Sequence, residues 1–414
     1  MPFLSSPVVS ARTPSLETSF RRELRIALFS GNYDCVRDGA NQALNRLVGY
    51  LQDVHGAQVR IYSPRAPRPA FASVGDVRAV RSLSLPGRPE YRLALGFTRS
   101  ARADFDAFAP DVVHLSAPDL LGWQALHHAR RRSIPVVASL HTRFETYADY
   151  YRLGFLRGVI ERYLHGFYAK CDKILAPTLP IAQDLARTHG NGRVGIWGRG
   201  VDRRLFNPAL RSNHIRAAHG YGQEDVIPLF FGRLVLEKGL DIFVEAIALL
   251  RERGQPVRPL IVGDGPAKAW LARRLPNATF AGHLEGPLLG QTIASADILV
   301  NPSVTEAFGN VNLEALASGL SIVSADVPSA ASLIEHGRTG LLVKAKDAGA
   351  YADAIEALIH DPDRRRGMSA MASASADGYK WNDVLSTVHA AYQDCLTRAP
   401  QQEQAYREMT LCAG

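Results

Sequence analysis

Cysteine is scarce in this chain. Cys35, Cys171, Cys395 and Cys412 are scattered, with no C-x-x-C pair and no histidine cluster at metal-ligand spacing. A zinc ribbon, a redox dithiol and a disulfide framework are therefore excluded, and the four read as free thiols in a reducing compartment. No apolar run reaches the roughly 18 residues that a membrane-spanning helix requires. The opening MPFLSSPVVSARTPSLETSFRR lacks the charged-then-apolar order of a secretion signal. Residues 1–22 read as a loose extension. The expected location is cytoplasmic, with peripheral contact at the inner face of a membrane. Fixed-period repeats and low-complexity blocks are missing too. So is G-x-G-x-x-G, which weakens a dinucleotide dehydrogenase.

Apolar residues and arginine are plentiful. At 414 residues the chain is long enough for two domains, and 46% hydrophobic with 21% charged suits a globular protein. The net charge is +8, and arginine far outnumbers lysine. Such an excess fits nucleic acid, an anionic membrane or phosphorylated ligands, and by itself does not choose among them. Nucleic acid is disfavoured because no aromatic–basic binding motif accompanies the charge.

Short apolar runs alternate with amphipathic ones. The first half predicts strands at 24–30, 58–63, 111–116, 135–140, 173–178 and 193–197, with helices at 39–54, 119–132 and 155–170. The second half predicts strands at 227–232, 258–263, 278–282, 297–302, 321–326 and 340–343. Continuous apolar strands alternating with helices imply parallel sheets covered on both faces. The expected fold class is α/β, with two doubly wound Rossmann-like domains facing across a cleft. The expected divisions are 23–208, 209–378 and a C-terminal helix and tail, 379–414, returning to the first domain. The polar stretch NPALRSNHIRAAHGYGQED reads as the linker.

Ligands bind off the carboxyl ends of strands in such sheets. Gly31 and Gly39 follow the first strand and precede a helix, where backbone can approach a phosphate. A tight turn explains them equally well. In FFGRLVLEKGLD, Arg233 and Lys238 follow the first strand of the second domain, placed to clamp a diphosphate. Gly263 and Gly265 end the next strand. In PSVTEAFGNVNLEALASG, Gly309 to Asn312 open a helix whose first N–H groups lack intrahelical partners. Glu306 precedes that helix and can accept from sugar hydroxyls. Glu314 lies on it and can hold a ribose. His141 and His114 each sit at a strand end. A lone histidine there is more often packed core. Arg130–Arg132 reads as a solvated helix end.

GRLVLEKG, GDGP and SVTEAFGNVNLEALASGLSIV, in this order and spacing, resemble the second domain of GT-B glycosyltransferases of family 4. SLHTRF and WGRGVDRRLFNP extend the resemblance from about Leu24 to Trp381. HTRFETYADYY and WGRGVD are most similar to the branch of sulfoquinovosyl- and mannosyl-transferases acting on lipids. The resemblance implies a retaining transfer from a UDP- or GDP-sugar to an acceptor hydroxyl on a lipid or glycan. Arg233 and Lys238 would neutralise the leaving diphosphate. Glu306 would orient the sugar, Glu314 would bind the ribose and His141 would stand near the transferred sugar. The backbone of Gly31, Gly39 and Gly263, with Phe308, Gly309, Asn310 and Val311, would complete the donor site. No metal or cofactor is implied, which fits the lack of a D-x-D carboxylate pair at a strand end. The sequence departs from the family at Asn32–Asp34, Ala307, Asn310 and Asn312, which bears on donor identity. The aromatic, basic segment 150–170 reads as packed core with a wet face, or as a membrane contact. An epimerase or phosphorylase on the same scaffold, or a non-catalytic sugar-nucleotide binder, are the other readings. The lack of a pyridoxal-type lysine motif speaks against the phosphorylase.

Overall fold

A computed structural model describes residues 23–412 apart from 37, 86–87, 142–156 and 256. The HTRFETYADYY stretch beyond His141, and residues 150–156 of the expected membrane segment, lie outside the described residues.

The chain folds as two parallel sheets. Strands β1 (Arg25–Phe29), β2 (Gln58–Ser63), β3 (Asp76–Ala79), β4 (Ser82–Leu85), β5 (Arg88–Ala94), β6 (Val112–Leu115), β7 (Val136–Ser139), β8 (Lys173–Ala176) and β9 (Val194–Ile196) lie in the first half. Seven of them form one sheet in the order β3-β2-β1-β6-β7-β8-β9. Strands β10 (Pro228–Phe231), β11 (Leu260–Val262), β12 (Thr279–Gly282), β13 (Ile298–Asn301), β14 (Ser321–Ala325) and β15 (Leu341–Val343) form the second, in the order β12-β11-β10-β13-β14-β15. Every strand expected from the sequence is present.

The apolar runs are continuous because both faces are covered. Along β1, Ala27 and Phe29 enter one core cluster while Ile26 and Leu28 enter the other. Along β10, Leu229 and Phe230 divide in the same way. Each such side chain contributes about 1.5–3 kcal/mol on burial, so both faces anchor the strand. The helix Trp381–Cys412 returns to the first sheet, where Leu385, Val388 and Tyr392 pack with Ile26 and Leu28. Lys173 holds Asp394 of that helix at 2.6 Å.

The polar stretch after Phe206 is docked on the second domain through a buried arginine. Arg216 is 1% exposed. It donates to the Ser295 carbonyl at 2.8 Å and to Asp297 at 3.2 Å. Val201 and Phe206 already belong to the second domain's core.

Strands β3, β4 and β5 were not foreseen. The last two form an antiparallel hairpin in which Leu83 faces Leu93, both exposed. Their serine–arginine alternation and flanking proline masked them as loop. Cys35, Cys171 and Cys395 are free and buried, as expected for unpaired thiols.

Candidate active site

Both sheets reverse strand order at one point, β1/β6 in the first and β10/β13 in the second. The loops leaving neighbouring parallel strands diverge there and leave a crevice. The residues singled out from sequence lie along these two edges.

On the first edge, Ser30 to Asp38 follow β1. Asp38 caps the helix Gly39–His55, accepting from the Asn41 N–H at 2.8 Å. A β-carbon on Gly39 would lie 1.8 Å from Asn310 Nδ2 of the second domain. The two edges therefore meet at this glycine. Gly31 does something different: its Cα abuts Asp119, 2.8 Å from a β-carbon there. The intervening residues are turned inward. The Tyr33 hydroxyl bonds with Asn45 and the Val74 carbonyl, and Ser73 donates to Asp34 at 2.7 Å. Asn32 exchanges two hydrogen bonds with the backbone of Arg92 on β5. The family departures at Asn32–Asp34 thus hold the loop in place.

His141 stands two residues beyond β7, its ring centroid 5.0 Å from that of Trp197 in an edge-to-face arrangement. Its Nε2 is 2.8 Å from Ser139 Oγ, and its Nδ1 is 2.9 Å from Arg199 Nη2. Both nitrogens are engaged by protein groups. Burial, then Arg199 and His114, drive its pKa well below the ordinary imidazole value. His114 is fully buried, and burial pulls its pKa down to about 3. Arg199, which sequence reasoning passed over, is 4% exposed, with its pKa pushed down to about 10 by burial against the pull of Asp38. Its signal was available: an arginine immediately after an apolar strand and a tryptophan, in WGRG.

On the second edge, Arg233 follows β10 and reaches the Tyr91 hydroxyl of β5 at 3.4 Å. Lys238 closes a short 3₁₀ turn, Leu236–Lys238, and its Nζ contacts Glu306 Oε1. This ion pair spans the loops after β10 and β13. Ser303 donates to the same Glu306 oxygen at 3.4 Å. Gly239 follows in the left-handed region at φ 73, where a β-carbon would press on Pro302.

Gly309 caps the helix Asn310–Ala317 at φ 94, a conformation that favours glycine. The first N–H groups of the helix have no intrahelical partners, and a helix terminus of this kind stabilises an anion. Val311 lies against Gly232 at the end of β10. Phe308 is 7% exposed and packs with the core, and its ring edge lies 3.5 Å from where a β-carbon on Gly198 would stand. Asn312 is also structural. It accepts from Asn301 at 2.8 Å and donates to Ser324 at 3.4 Å, pinning the helix to β13 and β14. Gly263 follows β11, where its Cα packs against the Gly232 carbonyl.

Glu314 is half-buried on that helix, and desolvation raises its pKa to about 8 against the opposing pull of Arg46. A neutral carboxyl at pH 7 is costly to ionise and ready to accept once ligand donors arrive. A folded-state pKa above the unfolded value means that stability falls as pH rises from about 4.5 to about 8. Glu314→Gln removes this dependence. It should raise the melting temperature at pH 8 by a few degrees, roughly 2–4 °C per kcal/mol, and leave pH 4.5 nearly unchanged. Melting curves at the two pH values check this.

Both halves of the chain match known sugar-transferring enzymes. The family model described as "Glycosyltransferase Family 4" matches residues 37–205, and that described as "Glycosyl transferases group 1" matches 225–361. A GDP-mannose-dependent alpha-mannosyltransferase of Mycolicibacterium smegmatis is 31% identical over 380 residues, covering 91% of this chain and 98% of its own. The chain belongs to the family 4 glycosyltransferases of GT-B fold. The sulfoquinovosyl transferase SQD2 of Arabidopsis thaliana is 28% identical over 379 residues, 89% of this chain and 73% of that one. Among solved structures, Anabaena HepE in complex with UDP-glucose superposes with a TM-score of 0.68 at 18% identity, covering 90% of this chain and all of that one. This family 4 chain is a glycosyltransferase that acts on nucleotide sugars.

Proposed function

We propose that the enzyme transfers a hexose from a GDP- or UDP-sugar to a hydroxyl of a lipid or glycan acceptor with retention of anomeric configuration. The observation that carries this reading is the Lys238–Glu306 pair at the β10/β13 reversal, beside Arg233 and the N-terminus of the helix Asn310–Ala317. The lysine and the carboxylate neutralise each other in this pair. A donor diphosphate takes the charge of Lys238 and Arg233, and Glu306 turns to the sugar hydroxyls. Glu314, across from Arg46, takes the ribose. The acceptor hydroxyl attacks from the face that the diphosphate leaves, and no protein nucleophile is required. Preorganised cations facing the leaving group do the catalytic work. On this reading they supply the positive charge that a metal would otherwise bring.

A glycolipid acceptor is what the resemblance to lipid-directed mannosyl- and sulfoquinovosyl-transferases implies, and relatives named for those two transfers are in keeping with it. The described part of the candidate membrane segment is the helix Arg157–Tyr168. Part of its aromatic face is used in packing: Tyr163 and Phe167 stack on Trp123, and Tyr163 donates to the Pro118 carbonyl at 2.7 Å. Val159 remains 55% exposed beside Arg157 and Arg162. Among the described residues, no helix is long and apolar enough to cross a membrane. Membrane contact on this reading is peripheral.

The test is nucleotide release from a panel of GDP-, UDP- and ADP-sugars, with and without lipid extract. One donor should give lipid-stimulated release that Glu306→Ala abolishes. Release without transfer to any acceptor would favour an epimerase. Nucleotide binding without release would favour a non-catalytic binder.

A further inference from the structure

A buried polar chain runs beneath the first sheet's edge. It starts at Arg199, whose Nη1 donates to the Gly198 carbonyl at 2.9 Å and the Trp197 carbonyl at 3.3 Å. Its Nη2 meets His141 Nδ1 at 2.9 Å. The chain continues from His141 Nε2 to Ser139 Oγ at 2.8 Å, and from Ser139 Oγ to His114 Nε2 at 2.8 Å. It ends where His114 Nδ1 meets the Tyr392 hydroxyl at 2.6 Å. Ser139, His114 and Tyr392 are 2%, 0% and 0% exposed. Tyr392 sits on the C-terminal helix, so the chain ties that helix to the cleft.

The donor inventory decides one tautomer. A guanidinium has only donors, so its contact with His141 Nδ1 requires that nitrogen to be bare. The neutral ring then carries its proton on Nε2 and donates it to Ser139 Oγ. A doubly protonated ring would set N–H against N–H at Arg199. In this arrangement His141 has one tautomer, one orientation and no charge.

We propose that Arg199 is a positioning residue that locks His141 as its Nε2–H tautomer, backed by Ser139, His114 and Tyr392. His141 is then a fixed neutral wall of the cleft and does not carry protons in the reaction. The C-terminal helix becomes a working part of the site through Tyr392. The proposal rests on reading the His141 edge as the donor side of the cleft. Among the described residues, the charged or titratable groups facing His141 are Arg199 and, through Ser139, His114. Asp38 stands behind Arg199 and feels Arg233 as well. All but Asp38 oppose protonation of the ring.

The test is a two-bond proton–nitrogen spectrum of the full chain labelled with ¹⁵N-histidine, with His141 assigned by its loss in His141→Gln. The wild-type ring should show a protonated Nε2 and a bare Nδ1, unchanged from pH 5.5 to 8.5. A protonated Nδ1, or averaged shifts, overturns the proposal without any further variant. Arg199→Met keeps the apolar stem and removes the donor. Its His141 should sample both tautomers and charge in acid. Its kcat should fall about 10- to 100-fold, as for other supports of a site histidine, with donor KM changed less than about threefold. An acid limb should also appear in its pH–rate profile. Unchanged kcat with the tautomer lost would overturn the positioning role. Tyr392→Phe removes one hydroxyl and should shift the His114 Nδ1 resonance. A silent His114 would remove the C-terminal helix from the chain. These spectra read the tautomer whether or not a donor has been found, so failure of the donor panel and failure of this proposal are distinguishable.

Discussion

Lys238→Ala should cut turnover by about 100-fold or more while donor KM moves by less than tenfold. The estimate follows from losing one preorganised donor facing a developing anion. The lysine has two roles that pull apart under mutation. It pairs with Glu306, both side chains about a quarter exposed (28% and 22%). An ion pair that wet contributes little to stability, so Lys238→Ala should fold normally. In the reaction its charge grows in value as the diphosphate departs. Comparison with Glu306→Ala and the double variant separates the roles. If Lys238 only holds Glu306 in place, the double variant will match Glu306→Ala. If it also faces the diphosphate, the double variant will be slower than either single one. Steady-state kinetics with the donor identified by nucleotide release measure all three. Near-normal turnover of Lys238→Ala would show that the phosphate site lies elsewhere.

The sequence disclosed the architecture because the physics behind it is periodic. Buried parallel strands need apolar residues on both faces, and runs such as LRIALFS and PLFF show this without any partner being known. The positions of Arg233, Lys238 and Glu306 in the loops after strands, and of Glu314 on the helix that follows, could be located from the pattern. The inward-facing role of individual residues did not follow. Phe308 and Asn312 flank the helix start in the same motif as Gly309. Only the packed structure shows one in the core and the other bonded to Asn301 and Ser324. Arg199 and Tyr392 are 193 positions apart in the chain, and no local rule links them. Glycine was legible as a turn residue. What each glycine makes room for was not: Gly31 faces Asp119, Gly39 faces the other domain, and Gly263 faces backbone.

That last distinction makes Gly263→Ala the second large effect. Gly263 sits at φ 139, and a β-carbon there would lie 1.9 Å from the Gly232 carbonyl oxygen. The obstacle is backbone and cannot rotate away. Gly232 and Gly263 end adjacent strands, and Gly232 N–H donates to the Val262 carbonyl at 2.9 Å. The next residues are zipped together as well: Leu234 N–H reaches the Asp264 carbonyl at 2.9 Å, and Ala267 N–H reaches the Leu234 carbonyl at 3.0 Å. Room for a methyl group can come only from spreading these two loops, and Arg233 rides on one of them. Gly254→Ala is the control. It is also at positive φ, 79°, but a β-carbon there meets nothing within 4 Å. Its cost should be the conformational penalty alone, about 1–2 kcal/mol. Gly263→Ala should cost more, roughly 3 kcal/mol with strain and displacement together. That corresponds to a fall of roughly 6–12 °C in the melting temperature. Its kcat should drop at temperatures where circular dichroism shows it folded, because a displaced Arg233 no longer faces the diphosphate. Gly254→Ala should keep its kcat. Equal melting temperatures and equal kcat for the two variants would mean that the β10 and β11 loops yield easily, and that their close approach does not position the donor cations.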